Sequence, residues 1–436
     1  MINSTQKTQF NEILELLSEN LSITKTQHEA AVQSYKTVGK YLSNENSPLY
    51  KYQPYIKPQG SFIIGTTIQS IDPDGDIDLD VVCEFKRKPD NWAQYHLKNA
   101  VGDRLNESDR YREMLDDEGR RCWTLNYREN AESANERYHM DILPALISDG
   151  YTIILEKAMS ADTYEDFDKL RLSITDKEEV DYNYETRPEF WKQSNPYGFA
   201  IWFMNIAKTI GGIKKRVFSL NEAIKPVPDY QENRLPLQRV VQLLKRHRDI
   251  YFFNECDEEI KKQKPISCII TTLAARAYRG EAELIDALWG VISRMEEEIE
   301  FVDANGQKIE KANGVRPYGA TEWISNPTNI TENFADRWND EGSVRRENFY
   351  RWLEQVKIDL KDAESKSGLQ NISESLKVAF GKETVTKTFT DLGNRHRLLT
   401  ESGGNHVDRK AGVVGSAVAG LTNVAKVSAH NFHGND

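Results

Sequence analysis

The sequence predicts an α+β protein of two lobes, and three observations carry that expectation. Strand-like apolar runs mix with helices up to about residue 155, helical periodicity alone runs from about residue 195, and residues 156–194 between them are polar and charged, as a linker or surface insertion would be. The expected division is a sheet-bearing lobe with N-terminal helices over 1–190, a helical lobe over 191–385 and a Gly-rich, flexible tail over 386–436. With 436 residues, 39% of them hydrophobic, the chain can bury sizeable cores, which excludes disorder as its general state.

Each element has a local reason. Phe10, Ile13, Leu14 and Leu17 recur at i, i+3, i+4 and i+7, and Ala31, Tyr35, Val38 and Leu42 continue at helical spacing until SNENSP ends the second helix before Pro48. Residues 52–64 read as a short extended stretch and a Gly-Ser turn. Leu79–Phe85 reads as a buried strand reached through the turn IDPDGD, and Arg121–Tyr127 and Tyr138–Leu146 as two more strands joined by the polar loop NAESANE. Three long apolar-periodic runs follow, NPYGFAIWFMNIAKTI, LPLQRVVQLLKRHRDIYFF and the stretch opening at PISCIITTLAA; the acidic run EEEIE is the solvated face of a helix. Six of the 25 glycines fall between 403 and 436, along with His406, His430 and His433, whose spacings of 24 and 3 offer a metal no fixed geometry.

Charge and cysteine usage narrow the class. A net charge of −11 argues against a protein whose main task is gripping long nucleic acid, because that affinity comes from neutralising phosphates. Cys83, Cys122, Cys256 and Cys268 lie 39, 134 and 12 residues apart, a pattern of neither zinc ligands nor a disulfide framework, so they are expected to pack in a reducing compartment. The start, MINSTQKTQFNE, has no basic and apolar signal-peptide regions, and the longest uncharged runs, Gln193–Ala207 and Ala411–Ala425, have 15 residues each. A cytoplasmic protein with no membrane association is the expectation.

The chemistry concentrates in Gln59-Gly60-Ser61-Phe62 and the later Asp76-Ile77-Asp78-Leu79-Asp80-Val81-Val82. In a strand, i and i+2 share a side, so Asp76, Asp78 and Asp80 line one edge while Ile77, Leu79 and Val81 face the core. Strands disfavour Asp, and such a row needs a neutralising partner; a hard dication with oxygen ligands is the natural one. A surface strand end after an Asp-Gly turn would also account for the row. It does not account for Asp141, a lone acid inside the apolar run YHMDILPAL, nor for Gly60-Ser61, whose backbone and hydroxyl suit a phosphate. Together these parts describe two-metal phosphoryl transfer.

Gly-Ser, an Asp-hydrophobic-Asp strand and a later single Asp resemble the polymerase-β-like nucleotidyltransferase superfamily. With SNPYGFAIWF, LQRVVQLLKRHRDIYF, PISCIITTLAA and SNPTNITENFADRW, the chain from about 30 to 385 looks like the bacterial cGAS/DncV-like nucleotidyltransferases (CD-NTases), relatives of oligoadenylate synthase. The resemblance implies a nucleotidyltransferase catalytic lobe with a helical lobe closing the nucleotide cleft. It implies metal ligands at Asp78, Asp80 and Asp141, with Asp76 in a turn or supporting role, and Mg²⁺ as the metal, Mn²⁺ being the alternative. Gln59, Gly60 and Ser61 match its phosphate-gripping turn, and Lys245 and Ser267 match the Lys and Ser placed on the triphosphate. Lys245 could equally be a solvated helix residue, and Ser267 a plain N-cap. The basic clusters Lys214–Arg216, Lys245–Arg248 and Lys261/Lys262/Lys264 stay open between nucleotide-facing and solvated.

The implied activity is synthesis of a cyclic di- or trinucleotide from NTPs, ATP first and GTP or a pyrimidine NTP as alternatives, with pyrophosphate released. The product would act on an effector in anti-phage defence, without an obligate nucleic-acid activator. Alternatives are a linear or protein-modifying nucleotidyltransferase and an inactive nucleotide-binding module. The tail HNFHGND resembles tails conjugated by an E1/E2-like partner, although it ends in Asn435-Asp436 rather than Gly or Ala.

Overall fold

A computed structural model describes residues 3–71, 77–127, 137–161, 164–211, 213–214, 230, 233–311, 316–408, 413–415 and 424–427. The chain forms two compact units, one of Ile23–Gln238 with Ser325–Asn333, the other of Met1–Ser22, Arg239–Ile324 and Phe334–Asp436.

The first unit is built on a mixed six-stranded sheet. Its strands are β1 (Pro54–Pro58), β2 (Ile77–Phe85), β3 (Trp123–Tyr127), β4 (Tyr138–Leu146), β5 (Leu172–Ile174) and β6 (Gln193–Ser194). The order is β1-β2-β4-β5-β6, with β3 also paired to β4; β2 and β4 are parallel and the other pairs antiparallel. Alternation gives the sheet two chemically distinct faces. Ile77, Leu79 and Val81 of β2 and Tyr138, Met140 and Ile142 of β4 are buried in a core with Ala31, Tyr35 and Val38 of α2 (Lys25–Ser43) and Leu97, Val101 and Leu105 of the helix Gln94–Asn106. Thr24 starts α2 with a capping box shared with Gln27. The opposite face carries the polar members of the same strands.

In the second unit α1 (Ser4–Leu21) buries Phe10, Ile13, Leu14 and Leu17 against the helices Leu284–Arg294 and Lys382–Glu401. Asn11 locks that packing by accepting from the Ile285 amide at 2.9 Å.

The boundaries differ from those expected. The first predicted helix belongs to the second unit, because its apolar stripe is completed there. The first unit continues past residue 190: the helix Pro196–Ala207 is apolar nearly all round, buries Tyr197, Ile201 and Phe203, and packs on Gly60–Ile63 and Tyr151–Ser160. Residues 156–194 are not a linker, since β5 and β6 extend the sheet and Asp176 is fully buried. The expected tail holds the end of the helix Lys382–Glu401 and a three-stranded sheet of His406–Asp408, Val413–Gly415 and Val424–Lys426. His430, His433 and the terminal HNFHGND lie outside the described residues, as do Asp76, Lys215, Arg216 and the loop 130–136. Among the described residues no helix is long and apolar enough to cross a membrane.

Candidate active site

Two adjacent parallel strands bring the expected carboxylates together. The β2–β4 register sets Asp80 beside Asp141 and Asp78 beside His139, all on the face turned from the apolar core. Asp78 is exposed, while Asp80 and Asp141 are half-buried. On the other side of β4, Thr124 of β3 stands opposite Asp141, and its hydroxyl donates to Asp141 Oδ1 at 2.6 Å. Just before β3, burial first and then the charges of Asp141 and Asp80 push the Cys122 thiol up to about 12, so both carboxylates act on the same small volume.

The Gly-Ser turn is seated on this row. The Gln59 amide donates to the Asp80 carbonyl at 2.8 Å, prolonging the β1–β2 ladder by one residue. Gly60 follows at φ +61°, and a methyl there would collide with the Asp80 carboxylate, whose Cγ would lie 3.2 Å away. Both its φ and its proximity to Asp80 therefore demand glycine. Ser61 bonds Thr67 through their hydroxyls at 3.0 Å and accepts from the Thr66 amide at 2.9 Å; Phe62 stacks on His28 with centroids 4.8 Å apart. The turn is held from behind while its polar side stays with Asp80.

Lys245 and Ser267 belong to the other unit. Lys245 lies in the helix Pro236–Phe253, and it, Arg246, His247 and Arg248 are all buried, so the solvated reading of that cluster does not hold. Arg248, one turn beyond Lys245, donates to Ser267 Oγ and to the Pro265 carbonyl, both at 3.0 Å. Ser267 is the first residue of the helix Ser267–Ala277 rather than its cap, which is Ile266. Lys261, Lys262 and Lys264 instead pair with Glu258, Glu259 and Asp249. An anchoring role for Arg248 had no signal in the sequence beyond the charge itself.

Residues 54–144, the segment from β1 to the end of the Asp141 strand, match the family model for the nucleotidyltransferase domain of DncV-like cyclic GMP-AMP synthases. A c-di-GMP synthase of Roseivirga ehrenbergii is 28% identical over 390 residues, covering 89% of this chain and 88% of that one. The chain is a nucleotidyltransferase. It is also similar to the cyclic dinucleotide synthase CdnG of Bradyrhizobium diazoefficiens, 23% identical over 96% of this chain and 92% of that one. Its fold is like that of the solved CdnG in complex with GTP (TM-score 0.59, 20% identity, 88% of this chain and 99% of that one). It is also like CdnC of E. coli MS115-1 with ATP (TM-score 0.52, 14% identity, 85% and 96%).

The Gly60 turn gives a direct test of this nucleotidyltransferase's candidate site. Gly60→Ala should cost about 1–2 kcal/mol of stability from the left-handed backbone. Displacement of Asp80 by the new methyl should lower nucleotide transfer by on the order of 10²-fold. Urea unfolding and initial rates measure the two effects; a variant with the wild-type rate would mean that the turn need not approach Asp80.

Proposed function

We propose that this protein is a cyclic dinucleotide synthase of the bacterial CD-NTase family, with Asp78, Asp80 and Asp141 as its metal-binding carboxylates and Gln59-Gly60-Ser61 as its phosphate-gripping turn. The observation that carries the reading is the register of Asp80 with Asp141 beside a glycine that the Asp80 carboxylate approaches closely. The two curated relatives, matched over most of their length, are both cyclic dinucleotide synthases.

The donor set suits Mg²⁺ or Mn²⁺, because carboxylate oxygens are the ligands such hard cations take. Among the described residues no three His, Cys, Asp or Glu side chains already close around a common point. We therefore read the carboxylates as a set that a cation and its nucleotide complete. When bound, the metal would supply charge for the triphosphate and lower the pKa of the attacking ribose hydroxyl. The chain's own part is to position the reactants. The Ser61 hydroxyl and the backbone at Gly60 offer donors to phosphate oxygens. Asp141 is our candidate to help deprotonate the attacking hydroxyl. Lys245 and Ser267 are proposed to hold a triphosphate, with Arg248 fixing the serine.

GTP is the first substrate to test, since one relative is a c-di-GMP synthase and CdnG was solved with GTP; ATP is the second. The reaction would run in the cytoplasm, and its product would switch an effector in anti-phage defence. The deciding experiment incubates the protein with GTP, ATP and Mg²⁺, treats the products with phosphatase and then a nuclease, and weighs them. A phosphatase-resistant dinucleotide is expected. A ladder digestible from its ends would identify a linear polymerase instead, and no product a nucleotide-binding module.

A further inference from the structure

We infer that Thr124 is a positioning residue for catalysis: its hydroxyl holds one oxygen of Asp141, so that the other is presented to the metal. The inference rests on the reading of Asp141 as a metal ligand. The bond from Thr124 Oγ1 to Asp141 Oδ1 is 2.6 Å, in the range of a hydroxyl donating to a charged carboxylate. The two residues face one another across the β3–β4 pair, and Asp80 occupies the matching place on the far side of β4. Asp141 thus sits between a hydroxyl on one strand and a carboxylate on the next. With Oδ1 held by Thr124, Oδ2 is the oxygen that would be presented to a cation.

The strand that carries Thr124 is unusually well anchored for a short sheet member. The Thr124 carbonyl accepts from the Asp116 amide at 3.0 Å. Next to it, Trp123 Nε1 donates to the Lys98 carbonyl at 2.9 Å, and its ring lies on Gly102 so closely that a side chain there would have no room. The fully buried Lys98 amine bonds back to the carbonyls of Gly119 and Arg120 and pairs with Glu118 at 2.9 Å. Arg120 and Arg121 converge on the buried Asp176 at 2.6 and 2.7 Å. Burial alone would raise the Asp176 carboxyl, but the two guanidinium bonds outweigh it and hold it below the usual range. Thr175 closes the clamp by donating to the Arg121 carbonyl at 3.1 Å. These contacts lie outside the carboxylate row, and their combined effect is to immobilise the backbone from which Thr124 reaches it. Partners behind metal ligands characteristically fix the ligand's rotamer and basicity.

A plain cross-strand polar pair would add to sheet stability and nothing more. Thr124→Val and Thr124→Ser separate the two roles, because Val keeps the β-branched shape and loses the donor, whereas Ser keeps the donor. Mn²⁺ binding to the full chain, followed by electron paramagnetic resonance with a non-reactive GTP analogue, should weaken about tenfold or more in Thr124→Val. In steady state the Mg²⁺ requirement should rise and kcat fall with little change in KM for nucleotide. Thr124→Ser should restore both. In an Asp141→Asn background, Thr124→Val should weaken Mn²⁺ binding no further. Unchanged Mn²⁺ affinity in Thr124→Val, or failure of Ser to rescue, would overturn the positioning role. If Asp141→Asn itself binds Mn²⁺ like the wild type, the ligand reading fails and the inference falls with it.

Discussion

Asp78→Asn combined with Asp80→Asn should reduce nucleotide transfer by on the order of 10³-fold or more, the rate equivalent of several kcal/mol of metal-borne transition-state stabilisation. The fold should survive. Both side chains stand on the polar face, Asp78 is exposed, and the bond from the Gln59 amide to the Asp80 carbonyl is a backbone one that the substitution leaves in place. Asn matches the shape of Asp and removes like charges two residues apart, which repel in the metal-free protein. The added stability that Mg²⁺ with GTP gives the wild type by binding the folded state should disappear in the variant. Thermal unfolding with and without ligand, beside initial rates, reads both. Undiminished synthesis would refute the metal assignment at these positions.

Lys57→Met should produce a large loss of stability on the same sheet face, away from the carboxylate row. Lys57 of β1 and Glu84 of β2 form a buried pair at 2.8 Å, with Glu84 only 2% exposed. The amine also lies 5.7 and 5.5 Å from the ring centres of Tyr151 and Tyr197. Burial pushes the Glu84 carboxyl up and Lys57 opposes that push. Removing the amine leaves an uncompensated buried carboxylate, a change that costs about 3–5 kcal/mol. Adding Glu84→Gln should recover much of it.

The same variant should acquire a pH dependence of defined sign. Without Lys57, the folded-state pKa of Glu84 rises further above its unfolded value of about 4.3. A carboxyl raised by folding contributes stability that is fully present below the unfolded pKa and lost as pH rises through the folded one. Lys57→Met should therefore lag the wild type most at pH 8 and recover toward pH 5, as urea unfolding at the two values would register. A deficit that does not change with pH would mean that Glu84 is not the group left exposed to the loss.

Much of the site was readable from local spacing. Period-two alternation in IDLDVV separates Asp78 and Asp80 from Ile77, Leu79 and Val81 without reference to any other strand, and the structure keeps that separation within β2. Gly60 was readable for its backbone freedom, although the approach of Asp80 that also requires it was not. Lys57, Thr124 and Asp176 gave no signal because each acquires its role from a partner on another strand or loop. Asp176 meets arginines 56 and 55 residues away, and a charged residue in a polar stretch looks solvated until its partners are known. The Lys245–Arg248 run stayed open between two readings for a related reason. Four consecutive polar residues on a helix suggest a solvated face, yet all four are covered.

Local periodicity was enough to identify the α+β class, the four main strands of the sheet, the carboxylate row and the turn before it, because helix and strand repeats are properties of a few consecutive residues. The lobe boundaries were beyond it. Whether α1 joins the sheet or the later helices, and whether 156–194 links two units or belongs to one, depends on which distant surface completes each apolar face. The parallel register that sets Asp80 beside Asp141, and the antiparallel one that sets Thr124 against it, are likewise decided only in the folded chain. Slipping either strand by one residue would turn every side chain to the other face, so the buried halves of β2 and β4 choose the register, and the polar halves inherit it.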